Sequence, residues 1–354
     1  MNLLEKTISA IQLVDANAAA TADAHLNSLT KPPGSLGYLE EIVRRFAAIR
    51  RDGSAKMGKA AITVFVADHG IADEGVSAFP KAVTLEMLRN IAAGGAAIGV
   101  LAKRFGYQLR VIDMGVETDS SAEPFSGVIY RRIGAGTRNF LRTSAMTRVE
   151  AQHAIETGIE VARELAASDV TLIGIGEMGI ANSTSAAAVV SAVTGISPAR
   201  LAGRGTGIDE AGWKHKVDVI ERALKLHRDR LSDGIGILSA VGGFEIAAMT
   251  GVCLGGAAAN VPVVIDGFIA TAAAAAADRI FPGIADHLFF GHRSAEGGHR
   301  EVLEKLHARP LLDLEMRLGE GTGAALAMSV IESSLELFHR MATFQSAGVS
   351  GKIR

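Results

Sequence analysis

Between residues 60 and 307, short apolar runs alternate with helix-patterned segments, and each run stops at polar residues or glycine. The run 61–67 ends in Asp68-His69-Gly70, and 107–113 ends at Asp113. The run 170–175 breaks into Gly176-Glu177, 261–265 stops at Asp266, and 286–290 leads into Gly291-His292-Arg293-Ser294. Strand-then-helix repetition predicts an α/β fold, a parallel sheet with helices on both faces. Ligands of such sheets sit beyond the carboxyl ends of the strands. The polar ends therefore predict the rim of a binding site.

The stretch 169–188, DVTLIGIGEMGIANSTSAAA, is the most informative of these units. An apolar strand leads through Gly174, Gly176 and Gly179 into a helix start near Asn182. Strand, glycine turn and helix N-terminus together make an anion site, where free backbone N–H groups and the helix dipole converge on phosphate. Ser183 and Thr184 are placed to cap the helix or to donate hydroxyls. Glu177 is out of place in a phosphate cradle unless it faces another part of the ligand.

Around this unit, 3–49 reads as helices broken at 31–34, with Ser35 as an N-cap, and Pro80 opens one helix to about 104. Residues 114–142 are irregular, with room for a short hairpin. Thr147 and Glu150 form a capping box for a helix to about 167. A glycine-rich loop at 197–209 precedes a charged amphipathic helix at 210–230. Helices follow at 242–258, 267–280 and 295–307, and a last one closes the chain to about 344.

The formal charge of −2, with both signs interspersed, gives no reason to expect nucleic acid or an anionic membrane as partner. The single cysteine, Cys253, excludes an internal disulfide framework and suits a reducing, cytoplasmic setting. The run 234–265 carries one charge, Glu245, but its Ala/Gly content with Asn260, Pro262 and Asp266 reads as buried α/β core rather than a membrane span.

Each constellation also has a plainer reading. Gly174-x-Gly176-x-x-Gly179 matches a dinucleotide fingerprint, but 194–204 lacks the acidic residue that should follow. A single phosphomonoester fits better, and plain turns are the alternative. Asp68-His69 starts a metal site or is a hydrogen-bonded pair. His292, Glu296 and His299 lack zinc spacing. Lys216 is either a solvated lysine or a phosphate contact. Glu320 in Gly319-Glu320-Gly321 is either an N-terminal helix charge or a base presented without obstruction, and the flanking glycines favour the base.

The blocks LTKPPGSLG (29–37), ADHG (67–70), EGVSAFP (74–80), GEMGIANSTSAAA (176–188), GRGTGID (203–209), HK (215–216), GGFEIAAMTG (242–251), IDGFIATAAA (265–274), HRSAEGGH (292–299) and LGEGTGAALA (318–327) together resemble the nicotinate-nucleotide–dimethylbenzimidazole phosphoribosyltransferase family. The resemblance runs through nearly the whole chain in order. It implies a Rossmann-like domain over 56–310 and a smaller helical domain from 1–55 and 311–354, in a homodimer. The implied reaction takes nicotinate mononucleotide and 5,6-dimethylbenzimidazole to α-ribazole 5′-phosphate and nicotinate, without metal or cofactor. An NAD-dependent oxidoreductase and a non-catalytic nucleotide sensor are the competing readings.

The resemblance also distributes roles. Glu320 is the general base, and Glu177 a second carboxylate near the reacting groups; the chemistry, rather than the resemblance, suggests that it offers negative charge to an oxocarbenium-like ribose. Phosphate contacts fall on Gly176, Gly179, Ser183, Thr184, Gly203, Gly205 and Lys216. Asp266 and Ser294 fall on ribose or nicotinate, and Ser77, Phe79, Met87 and Leu318 on the base. Nicotinate leaves as a neutral ring from a pyridinium, so no cation is needed to neutralise the departing group. The sequence 263–267, VVIDG, lacks the second acid of Mg²⁺-dependent phosphoribosyltransferases. The identity of the accepted base is not fixed by these residues.

Overall fold

A computed structural model describes residues 1–118, 124–205 and 207–350. Among them, seven strands form one sheet in the order β3-β2-β1-β4-β5-β6-β7. They are β1 (Lys59–Ala67), β2 (Gln108–Gly115), β3 (Val128–Tyr130), β4 (Val170–Met178), β5 (Val263–Ile265), β6 (Leu288–His292) and β7 (Pro310–Leu312). Every neighbouring pair is parallel. The chain runs outward from β1 to β3, then returns to place β4 on the other side of β1. The switch in strand order, where α/β sheets open a crevice, thus lies between β1 and β4.

Alternate side chains of the strands feed two apolar layers. Phe65, Ile173, Ile175 and Ile265 pack with α6 (Arg148–Ala167), α7 (Asn182–Thr194), α11 (Phe244–Ala258) and α12 (Phe268–Ile280). Ile62, Val64, Leu172, Val264 and Phe289 pack on the other face with α2 (Ala16–Ser28), α3 (Tyr38–Arg50), α4 (Ala82–Ala92), α5 (Ala97–Phe105) and α14 (Thr322–Arg340). Shorter or more peripheral helices complete the set: α1 (Leu3–Ala10), α8 (Pro198–Leu201), α9 (Glu210–Leu226), α10 (Gly234–Val241), α13 (His299–Lys305) and α15 (Phe344–Ala347). The apolar stretch 234–265 becomes α10, α11 and β5, with α11 buried against α6 and α12.

The expected parallel α/β sheet is present, with local differences. The single helix from Pro80 is two helices, because Gly94 at φ 77° turns the chain and the carbonyls of Asn90 and Ile91 accept the N–H groups of Gly95 and Gly94. The expected hairpin is β3, parallel to β2 with Val128 opposite Val111. Residues 119–123 of that irregular stretch lie outside the described residues. Gly37, not Ser35, is the N-cap of α3, and Ser35 lies in a turn onto the Pro32 carbonyl. The 210–230 helix ends at Leu226, and α10 follows on an Asp233 cap. The Thr147/Glu150 capping box is formed. Residues 310–312, at the expected boundary between the two domains, are the edge strand β7, and α14 lies on the sheet and against α3.

Candidate active site

A cleft of about 280 Å³ opens beyond the carboxyl ends of the central strands. Of the residues singled out in the sequence, Ser77, Glu177, Gly179, Ser183, Gly205, Asp266, Ser294 and Leu318 line it. Gly176, Thr184, Gly203, Lys216, Glu320, Phe79 and Met87 are not part of this lining.

One end of the cleft gathers carboxyl groups. Glu177 ends β4, Asp266 follows β5, and Glu320 precedes α14; all three are at most 5% exposed. Asp266 holds the N-terminus of α14, accepting from the N–H of Gly321 (3.2 Å) and of Ala324 (2.9 Å). The N–H of Glu320 donates to the Glu177 carbonyl at 3.2 Å. The loop is thereby pinned to β4 and β5 at once. Gly319, Glu320 and Gly321 all have positive φ, at 87°, 63° and 86°. That conformation costs a non-glycine residue roughly 1–2 kcal/mol, so a strained backbone presents this one carboxylate between two glycines. Its Oε2 faces the start of α5, accepting from the Ile98 N–H at 3.4 Å.

Burial pushes the Glu177 carboxyl up to about 8, with the nearby charges of Asp266 and Glu245 adding to the effect. Asn182 donates to Glu177 Oε2 and opposes it. Burial also takes Asp266 up to about 7 and raises Glu320 above the usual carboxylate range. At neutral pH Glu177 therefore retains its proton and Asp266 titrates near neutrality. His292, buried beside it with Nδ1 3.8 Å from Asp266 Oδ1, is held below its ordinary value by desolvation.

The other end is cationic. Lys216, on α9, is 1% exposed, and its Nζ donates to Ser183 Oγ at 2.9 Å and toward the Gly203 carbonyl at 3.4 Å. Among the described residues no carboxylate forms a salt bridge with it, and burial lowers the ammonium to about 8 while the more distant Glu296 opposes that shift. The solvated-surface reading of Lys216 is therefore excluded. Ser183 and Thr184 do not cap α7; Ala181 at φ 73° is its N-cap, without a side-chain bond. Ser183 instead meets the lysine, and Thr184 Oγ1 is buried without a partner.

The glycines of the 174–179 fingerprint have packing reasons. A Cβ on Gly174 would fall 2.7 Å from Met328 Sδ, and one on Gly176 would enter the backbone of residues 320–321. Gly176 therefore gives the Glu320 loop its close approach to β4 rather than lining the cleft. Gly203 is similarly crowded by the Glu296 carboxylate.

Phe79 and Leu318 are exposed, at 52% and 58%. Ser77 Oγ accepts from the Phe79 N–H at 3.3 Å, and Met87 is half-buried on α4. Asp68-His69 is not the start of a metal site. His69 bridges Glu245 Oε1 (2.7 Å) and Ser185 Oγ (2.9 Å), while Asp68 accepts from the Glu117 N–H at 2.8 Å. The lone charge of the 234–265 run, Glu245, is thus a buried partner of His69. His299 is likewise engaged, by the Ser294 N–H and Thr271 Oγ1. Among the described residues no group of three or more His, Cys, Asp or Glu is arranged to hold a metal ion.

Sequence reasoning gave no cleft role to Asn182, Glu296 or Arg317, all of which line it. For Lys216 a signal existed. With Val219, Ile220 and Ala223 it occupies the buried stripe of α9 at helical spacing, an odd position for a lysine meant for solvent.

Comparison with known proteins bears on the family and the fold. A family model described as "Phosphoribosyltransferase" matches residues 11–349. The nicotinate-nucleotide–dimethylbenzimidazole phosphoribosyltransferase of Geobacter sp. (strain M21) is 49% identical over 350 residues, 99% of this chain and 100% of the relative. A protein of the same name from Chloroflexus aggregans is 49% identical over 352 residues, covering 99% of each. The crystal structure of CobT from Thermus thermophilus superposes with a TM-score of 0.89 at 43% identity, covering 94% of this chain and 99% of that one. The fold, the cleft at the strand ends and the full-length similarity lead to one assignment: the chain belongs to the CobT family of phosphoribosyltransferases.

Proposed function

We propose that this phosphoribosyltransferase moves the phosphoribosyl group of nicotinate mononucleotide onto 5,6-dimethylbenzimidazole, giving α-ribazole 5′-phosphate and nicotinate. The observation that carries the reading is Lys216, a buried ammonium with no carboxylate partner among the described residues, at the opposite end of the cleft from a buried carboxyl cluster. A buried cation is costly until paired, and the ligand's 5′-phosphate is the counter-charge, received by Lys216, Ser183 and the Gly179 and Gly205 turns. Anchoring the phosphate there directs C1′ of the ribose toward the carboxyl end. The relatives' names supply the two substrates.

In the reaction, the unprotonated ring nitrogen of the base bonds to C1′. The C1′–N bond to nicotinate breaks, and its electron pair returns to the pyridinium nitrogen, so nicotinate departs with a neutral ring. The proton on the other azole nitrogen passes to Glu320, whose desolvated carboxylate is a stronger base than one in water. Such assistance is worth ~10²–10⁴ in rate, and orientation by the two anchored ends adds to it. Glu177 supplies the expected negative charge only once the substrate is bound. Held up to about 8 by burial, it keeps its proton in the ligand-free protein. A pyridinium ring placed beside it would favour its ionised form. Ser77, Phe79, Met87 and Leu318 are assigned to the base, and Asp266 and Ser294 to the ribose or nicotinate side.

We also infer a cytoplasmic homodimer, which the family resemblance and the single buried Cys253 support. Segments 1–55 and 311–354 are read as a smaller helical unit, supported by the packing of α14 on α3. Incubating the purified protein with nicotinate mononucleotide and dimethylbenzimidazole should release free nicotinate, with full activity in EDTA. Binding of the nucleotide without turnover on any azole would replace this reading by a sensor, and loss of activity in chelator would remove the metal-free scheme.

A further inference from the structure

The loop after β6 brings one acidic side chain to the cationic end of the cleft. Glu296 Oε1 accepts the Gly205 N–H at 3.0 Å. Its carboxylate lies so close over Gly203 that a Cβ there would collide with it. Gly205 in turn borders Lys216 Nζ and Ser183 Oγ, since a Cβ on it would sit 3.3 Å from the first and 2.9 Å from the second. One backbone donor, one ammonium and one hydroxyl thus converge, and a carboxylate from elsewhere in the chain already holds the donor. Nothing else binds the Glu296 carboxylate among the described residues. Its backbone N–H donates to Ser294 Oγ at 3.2 Å, and Ser294 is itself held by His299. The loop is therefore fixed at its root while the carboxylate end is half-exposed on the cleft, with Gly297 and Gly298 following it.

We propose that Glu296 is a resident competitor for the phosphate seat: its carboxylate holds the Gly205 amide in the free protein and must rotate away before a phosphomonoester can be received. The inference rests on the phosphate reading of the Lys216 end. Two reasons favour competition over cooperation. A single amide hydrogen serves one strong acceptor at a time, and a carboxylate left beside a phosphate dianion repels it at close range. The occupied state acts as an inactive fraction, and apparent affinity falls by the share of protein with the seat open. The same carboxylate partly neutralises Lys216 while no ligand is bound, which makes the empty site less costly. Glu296 thereby sets how much phosphate charge a ligand must bring to open the seat.

The test measures binding of inorganic phosphate, and the KM for nicotinate mononucleotide, in wild type and in Glu296→Gln, Glu296→Ala and Lys216→Ala. Both Glu296 variants should bind phosphate more tightly by about fivefold, the worth of one net hydrogen bond, and lower the nucleotide KM to match. The KM for the dephosphorylated riboside should not fall. Glu296 variants that bind phosphate equally or more weakly, while Lys216→Ala weakens it, would overturn the competitor and leave the phosphate seat standing. Phosphate binding unchanged in Lys216→Ala would overturn both. The alanine variant covers the case in which a glutamine oxygen keeps the Gly205 bond.

Discussion

The two ends of the cleft solve the problem of buried charge in opposite ways. At the carboxyl end, Glu177, Asp266 and Glu320 crowd together, and the excess negative charge is relieved by retaining protons and by accepting backbone N–H groups from the start of α14. At the lysine end, a single ammonium is surrounded by neutral acceptors, with its acidic neighbour at a distance. The first end is complete within the chain, while at the second the ammonium has no ion-pair partner among the described residues and Glu296 acts on it only from a distance. A ligand carrying phosphate at one end and a cationic ring at the other is oriented by that asymmetry alone, before any shape is considered.

The contrast predicts different kinetic signatures. Glu320→Gln removes the proton acceptor while leaving the lysine end intact, so kcat should fall at least ~10²-fold with little change in the KM for the nucleotide; unchanged turnover would remove Glu320 from the chemistry. Lys216→Ala should do the reverse, raising that KM by roughly 10–100-fold, the range for a hydrogen bond to a charged group. A normal KM would leave the ammonium without a ligand to serve.

The smallest effect concerns stability of the ligand-free protein. Glu177 and Asp266 bind protons more tightly folded than unfolded, so between about pH 4.5 and about 8 the native state holds the more protons. Their contribution is fully present below the unfolded values and is lost as pH rises through the folded ones. The thermal midpoint should therefore decline across that window more steeply in wild type than in Glu177→Gln. Equal slopes would mean that Glu177 is not the proton reservoir of its end.

The sheet and most of the site were legible because both are written locally. Apolar runs that end in Asp68, Glu177, Asp266 and His292 name the strands, and the last three of these tips line the cleft. The glycines around Glu320 signalled its unusual backbone. Contacts between distant segments were not legible. His69 meets Glu245 across 176 positions, and nothing in either neighbourhood announces the pair. The break between α4 and α5 depends on which of two adjacent glycines takes a positive φ, and the orientation of β3 on pairing with β2 rather than on its own composition. The glycine fingerprint misled for a similar reason. Gly174 and Gly176 make room for a helix and loop far downstream in the chain, and close packing leaves the same mark in sequence as a phosphate turn.

The loop from β7 to α14 starts at the edge of the sheet, passes the loop after β6 where the Ala295 N–H meets the Met316 carbonyl, and reaches Asp266 and Glu177 at the centre. It roofs the strand tips, and α14 then covers Ile62, Leu172, Val264 and Phe289 on one sheet face. These covering residues follow all seven strands in the chain and so leave the ribosome after them. Until they emerge, the nascent sheet carries a bare apolar face and no assembled centre, which exposes it to association with other chains.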